Sequence, residues 1–138
     1  MLSDRDRTRL IGVHPTLVSA LTLVLSDMEQ NGHSMFVVEG VRTAARQAAL
    51  YAEGRTQPGV IVTYKDGVLH KSNHQPHNDG FGYAVDCAFS TGEAFGALQP
   101  WEEYGESAEN HGLQWGGRWK MVDAPHVELL DESTTRLA

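Results

Sequence analysis

Cysteine is nearly absent from this sequence: Cys87 stands alone among 138 residues. That excludes an internal disulfide framework and a zinc module built on several thiolates, so any metal site must draw on histidine and carboxylate. Long apolar runs are missing too, and none approaches the roughly 18 residues of a membrane-spanning helix. Lysine and arginine total 11 against 18 acidic residues, for a formal charge of −7. The basic residues form no cluster, so the electrostatic footprint of a nucleic-acid binder is not there and neither DNA nor RNA is an expected partner. The opening MLSDRDRTRLIGVHP mixes charges of both signs and lacks the basic-then-apolar order of a secretory signal.

What is present reads as one globular domain. Hydrophobic residues make up 41% and charged residues 21%, and a chain of this length buries roughly two-thirds of its unfolded surface in a single core. No repeat, low-complexity tract or interdomain linker divides it. From Thr16 to Gln30, Leu17, Leu21, Val24, Leu25 and Met28 recur at helical spacing, with Pro15 before them and Asn31-Gly32 after. Met35 to Val38 suits a buried strand that ends at Gly40. Thr43 is an N-cap for the alanine-rich helix AARQAALYAEG, which stops at Gly54. Val60 to Tyr64 is expected to be a strand. Lys65 to Gly82 is loop, and its length favours a functional role.

Tyr83 to Phe89 is expected to be a strand with Ala84, Asp86 and Ala88 on one face and Val85, Cys87 and Phe89 on the other. Asp86 therefore points away from Cys87, which reads as a small core hydrophobe. A third helix is expected from Pro100 to His111 and a last strand around His126 to Leu130.

Two places bring histidine and aspartate together: His74, His77, Asp79 and Asp86 in the middle, and Asp123 with His126 near the end. A catalytic zinc site uses three protein ligands of these types and keeps a fourth position open, with a nearby carboxylate to move the proton. The inventory suits that chemistry. Spacing alone also allows a plainer reading, because loop histidines are commonly solvated and loop aspartates commonly cap turns.

Ser72-Asn73-His74, Gly82-Tyr83-Ala84-Val85-Asp86 and Asp123-Ala124-Pro125-His126 resemble, in that order, the S-x-H-x-x-G-x-A-x-D hallmark and the later carboxylate–histidine pair of the LAS group of zinc peptidases. This is the VanY-type family (peptidase M15) that cuts peptidoglycan stem peptides and includes D,D-carboxypeptidases and phage L-alanyl-D-glutamate endopeptidases. LIGVHPTLV, GVRTAARQAALYAEGRTQPG and HGLQWGGRW extend the resemblance over most of the chain. It implies His74, Asp86 and His126 as the three Zn2+ ligands and Asp123, where the family usually has glutamate, as the catalytic base. It implies that Arg42, in GVRT, steadies the scissile carbonyl as it becomes an oxyanion, a role that suits the fixed donor fork of a guanidinium. Ser72 and Gln47 are implied to hydrogen-bond substrate.

The hallmark is broken in one place. His74 stands twelve residues before Asp86, not seven, because five extra residues separate it from Gly82. His77, nine residues before Asp86, competes for the ligand role. His74 is preferred because it follows Ser72 at the family spacing, and a Gly/Asn/Asp-rich surplus can bulge outward at small cost. Other residues keep two readings. Arg42 sits at a helix start, where a cation is unfavourable, and could otherwise be a surface ion pair. Trp115 and Trp119 line a groove or fill the core. Glu128, two residues after His126, hydrogen-bonds near the site or faces solvent. His14, His33, His70 and His111 read as structural or exposed.

The implied fold is α+β: a small antiparallel sheet carrying the zinc site with helices packed on one face, a LAS or hedgehog-like peptidase fold. One catalytic domain over 1–138, with no separate cell-wall-binding domain, is expected. The implied function is zinc-dependent hydrolysis of the peptidoglycan stem peptide, as an L-alanyl-D-glutamate endopeptidase of the phage endolysin type. The enzyme is expected to be a monomer that waits in the cytoplasm until released to the wall from the periplasmic side. A D-alanyl-D-alanine carboxypeptidase or dipeptidase of the same family is one alternative. A non-catalytic, zinc-stabilised module that binds wall peptide is another.

Overall fold

Helix α2 (Pro15–Gln30) is the longest element of the computed structural model, which describes residues 2–130; positions 131–138 of the expected domain lie outside the described residues. Pro15 occupies its first turn and His14 Nδ1 accepts the Thr16 N–H. Leu17, Leu21, Val24 and Met28 form a fully buried stripe along it. Helix α1 (Asp4–Arg9) precedes it, and strand β1 (Met35–Glu39) follows. Helix α3 (Ala44–Ala52) begins where Thr43 Oγ1 accepts the Arg46 N–H and ends before Gly54, whose φ of 78° lies in the left-handed region. Strand β2 (Ala84–Phe89), helix α4 (Trp101–Asn110), strand β3 (Leu113–Trp115), a 3-10 turn at Gly116–Arg118 and strand β4 (His126–Leu129) complete the order.

The four strands form one antiparallel sheet in the order β1-β2-β4-β3. Its pleat sorts the side chains. Val37, Val85, Cys87, Phe89 and Val127 enter an apolar core with α2 and α4 residues such as Leu21, Tyr104 and Ala108. Asp86 and His126, paired across β2 and β4, take the other face, as do Ala84 and its partner Glu128. A slip of one residue would turn all four away, so the buried apolar face fixes the register of the polar one. The expected α+β architecture is therefore observed. Helix α3 is the exception to the one-sided packing, since its Leu50 lines the cleft on the polar side.

Close approach of α4 to the sheet depends on Gly105, where a Cβ would meet the Trp115 ring at 2.1 Å. Trp115 is core, with Nε1–H donating to the Ala124 carbonyl at 2.7 Å.

One local expectation differs from what is observed, and two elements carry no periodic sequence signal. Val60 to Tyr64 pairs with no strand; Ile61, Val62 and Tyr64 instead form one wall of the cleft. β-Branched residues favour any half-buried apolar surface, and a groove wall provides one without a ladder. The three-residue strand β3 is too short to show an alternation. Helix α1 carries a polar sequence, and its purpose is visible only in three dimensions. Buried Asp6 accepts the Val37 N–H through Oδ1 at 2.9 Å, and Arg9 Nη1 donates to the Val37 carbonyl at 2.7 Å. Both backbone groups of Val37 on the open edge of β1 are thereby closed off.

Asp6→Ala leaves the Val37 N–H buried without its acceptor, and we expect a loss of about 1–3 kcal/mol in urea denaturation. Asp6→Asn, which keeps an acceptor oxygen, should lose less. An unchanged midpoint for Asp6→Ala would contradict this account of the edge.

Candidate metal centre

His74 reaches the centre from the long loop, Asp86 from β2 and His126 from the start of β4. The loop around His74 is pinned by its own side chains: Ser72 Oγ accepts the His74 N–H at 3.1 Å, and Gln75 Oε1 accepts the Ser72 N–H at 3.0 Å. The His74 carbonyl accepts the Arg42 N–H at 2.8 Å, which ties the loop to the start of α3.

His74 Nε2, His126 Nδ1 and Asp86 Oδ1 form a triangle with edges of 3.2, 3.2 and 3.4 Å. Tetrahedral zinc with ligand bonds of about 2.0–2.1 Å requires edges of about 3.3–3.4 Å. The far nitrogens fix the tautomers. His74 Nδ1–H donates to the Gly40 carbonyl at 2.9 Å and His126 Nε2–H to Glu128 Oε1 at 2.8 Å, so in the neutral rings the inward nitrogens carry the lone pairs. Two imidazole lone pairs and a carboxylate oxygen thus converge on one point, and these three side chains can hold a metal ion together.

His77 stands apart, stacked on Tyr83 with ring centroids 3.7 Å apart and with Nε2 donating to Asn73 Oδ1 at 3.1 Å. Cys87 is fully buried in the core behind the sheet, where burial pushes its thiol up and keeps it neutral.

Electrostatics at the centre favour a cation. Burial opposes the charge on Asp86, but the imidazoles of His74 and His126 outweigh it and hold the carboxyl well below the usual range. Burial likewise opposes a proton on His126. The hydrogen bonds to Asp86 and Glu128, with Asp123 behind them, nevertheless push its pKa up to about 9. Asp123, with 42% of its side chain exposed, has its Oδ2 3.7 Å from His126 Nδ1. Partial withdrawal from water, then the Asp86 charge, raise its carboxyl above the ordinary value. Gly116 lets it sit there, since a Cβ on residue 116 would meet the Asp123 carbonyl at 2.4 Å.

Arg42 is buried, not a surface ion pair. Glu39 Oε1 accepts from Nε at 2.7 Å and Gln47 Oε1 from Nη1 at 2.9 Å, leaving Nη2 turned to the centre, 3.8 Å from Asp86 Oδ2. The irregular register between Val37 and Glu39 sets Glu39 opposite Asp86 for this purpose. Gln47 is fully buried, its amide nitrogen donating to Thr63 Oγ1 and the Lys65 carbonyl, so it meets the cleft only through Arg42. Ser72 is also fully buried and does not line the cleft. Glu128 and Asn73, hydrogen-bonded to each other at 2.8 Å beneath His126, complete a buried support; the shared strand face of His126 and Glu128 was its one sequence signal.

His74, Asp86, Arg42 and Asp123 line a cleft of about 1010 Å³, with His126 fully buried behind them. Ile61 to Lys65 form one wall and Trp119 to Asp123 another, with Phe95 at the rim. Trp119 packs on the His126 ring at 4.8 Å.

A family model described as D-alanyl-D-alanine carboxypeptidase, of the peptidase M15 type, matches residues 67–129. The chain is 29% identical over 130 residues to the peptidoglycan L-alanyl-D-glutamate endopeptidase CwlK of Bacillus subtilis (strain 168), covering 86% of this chain and 74% of that protein. Among solved structures, the Serratia marcescens L-Ala D-Glu endopeptidase ChiX shares the fold with a TM-score of 0.61 at 21% identity, over 94% of this chain and 89% of that one. The vancomycin-resistance D,D-pentapeptidase VanY, solved with Zn(II), gives 0.60 at 14% identity, over 88% and 74%. Over residues 67–129 the chain is thus similar to the peptidase M15 family, and its fold is that of these solved peptidases.

An ion seated in the triangle must displace the Nδ1 proton that His126 carries below pH 9. Calorimetry in buffers of different ionisation enthalpy should therefore find about one proton released per zinc at pH 7, with affinity rising about tenfold per pH unit until near pH 9. Affinity independent of pH between 6 and 8 would contradict the assignment.

Proposed function

We propose that this chain is a zinc-dependent peptidoglycan stem-peptide hydrolase, and within that class an L-alanyl-D-glutamate endopeptidase of the endolysin type. The observation that carries the reading is the His74–Asp86–His126 triangle, which meets a cleft through His74 and Asp86, with Arg42 and Asp123 beside it. The likeness to CwlK, over most of both chains, supports the choice of bond.

Zinc held by the triangle would supply Lewis acidity toward a carbonyl oxygen and a lowered pKa for water. The chain's own groups do the rest. Asp123 takes the proton of the attacking water and delivers it to the leaving amine. Its raised pKa suits both halves of that transfer. The family's usual glutamate is one methylene longer, yet the Asp123 carboxylate already lies within 4 Å of the ligand triangle. Arg42, with two of its nitrogens engaged by Glu39 and Gln47, offers Nη2 to the oxyanion without having to be ordered first. The chain is acidic overall, but two of its three lysines, Lys65 and Lys120, line the cleft, where they favour the carboxylates of a stem peptide. On this reading the protein is a monomeric single catalytic domain that reaches the wall after release from the cytoplasm. No helix of the described residues is long and apolar enough to cross a membrane.

The family model's description keeps D-alanyl-D-alanine carboxypeptidase as a second reading. Digestion of purified peptidoglycan followed by mass spectrometry separates the two. We expect fragments with a new D-glutamyl amino terminus, whereas release of free D-alanine would overturn the endopeptidase assignment. Asp123→Ala should keep stoichiometric zinc and lose about 10²–10⁴-fold in hydrolysis. If the wild-type chain binds wall peptide and cleaves nothing, it is a binding module.

A further inference from the structure

The five residues that lengthen the His74–Gly82 spacing belong to a segment that is tied down at several points. The His77 N–H donates to the Phe81 carbonyl at 2.8 Å and the Gly80 N–H to the His77 carbonyl at 2.9 Å, with Gly80 at a φ of 86° closing the turn. Asp79 accepts the Phe81 N–H at 3.0 Å and the Tyr83 hydroxyl at 2.5 Å. The His77 ring lies flat on Tyr83, 13° from parallel, and the edge of Tyr83 is met by His14. His77 is 7% exposed.

From that turn a chain of hydrogen bonds runs inward. Asn73 Nδ2 donates to Glu128 Oε2 at 2.8 Å, which leaves Asn73 Oδ1 to accept from His77 Nε2–H at 3.1 Å. Glu128 in turn accepts the Nε2–H of His126 through its other oxygen. Each link has one donor and one acceptor, and reversing the Asn73 amide would set its oxygen against a carboxylate. Asn73 and Glu128 are both nearly fully buried, so no bulk water can substitute for a lost partner.

We propose that the inserted segment is a brace for the metal centre, with His77 as a positioning residue that orients Asn73, through it Glu128, and through Glu128 the ring of His126. The proposal rests on reading His126 as a metal ligand. Its logic is that of an outer-shell partner two links removed: the stack on Tyr83 fixes the plane of His77, and its Nε2–H selects one orientation of the Asn73 amide.

The test is zinc affinity in the full chain, by competition with a chromophoric chelator, together with the visible spectrum of the cobalt(II)-substituted protein. His77→Phe keeps the stack and removes the donor. It should bind zinc about 10-fold more weakly and shift the cobalt bands. His77→Gln, which restores a donor, should recover most of the affinity. A purely structural role would instead make both variants lose thermal stability together without moving the cobalt bands. Tyr83→Leu, which removes the stack and keeps His77, should weaken zinc in the same direction and decides the matter if His77→Phe does not fold. Wild-type zinc affinity and an unchanged cobalt spectrum in folded His77→Phe overturn the brace while leaving the peptidase reading intact. A wild-type chain that binds no zinc overturns both.

Discussion

Two imidazole nitrogens and a carboxylate oxygen held within 3.4 Å of one another repel unless a proton or a metal ion lies among them. Much of the polar half of this molecule is arranged so that the three cannot move apart. The Gly40 carbonyl turns the lone pair of His74 inward and Glu128 does the same for His126. Asp86 is directly opposite His126 in the β2–β4 ladder, so their proximity is a property of strand register and not of loop conformation. Burial makes the arrangement costly without a cation, and the same burial makes it selective once one is bound.

The apolar half supplies the rigidity. Cys87, between Asp86 and Ala88 in sequence, faces the opposite way into the core, and Val127 does so between His126 and Glu128. Each polar group of the centre is therefore flanked on its strand by residues locked into the packing of α2 and α4. Helix α1 closes the edge of β1, from which Glu39 reaches across to hold Arg42. The chemistry is thus carried by a small sheet whose back is packed and whose front faces the cleft lined by residues 61–65 and 119–123.

Much of this was legible in the chain itself. Helices α2 and α3 announce themselves through period and caps, and β2 through an alternation that correctly parts Asp86 from Cys87. His74, Asp86 and His126 are indeed brought together, and His77 is drawn instead to Tyr83. What stayed hidden depends on tertiary contacts. Helix α1 has no apolar stripe, because its value lies in two polar side chains that reach an edge strand some 28 to 31 residues away. Val60 to Tyr64 carries strand-like residues but has a groove to line and no ladder to join. Gln47 and Ser72, expected at the substrate, are buried; one holds Arg42 and the other holds the His74 backbone. Asn73 sits inside the hallmark as an arbitrary residue, and its partnership with Glu128 spans 55 positions. Spacing could not reveal that pair.

The central claim is that His74, Asp86 and His126 share one ion. Crystals of the zinc-loaded chain, measured on both sides of the zinc absorption edge, test it most directly. The account predicts a single anomalous peak about 2.0–2.2 Å from His74 Nε2, His126 Nδ1 and an Asp86 carboxylate oxygen. A peak that includes His77, or one that lies away from His126, would contradict it.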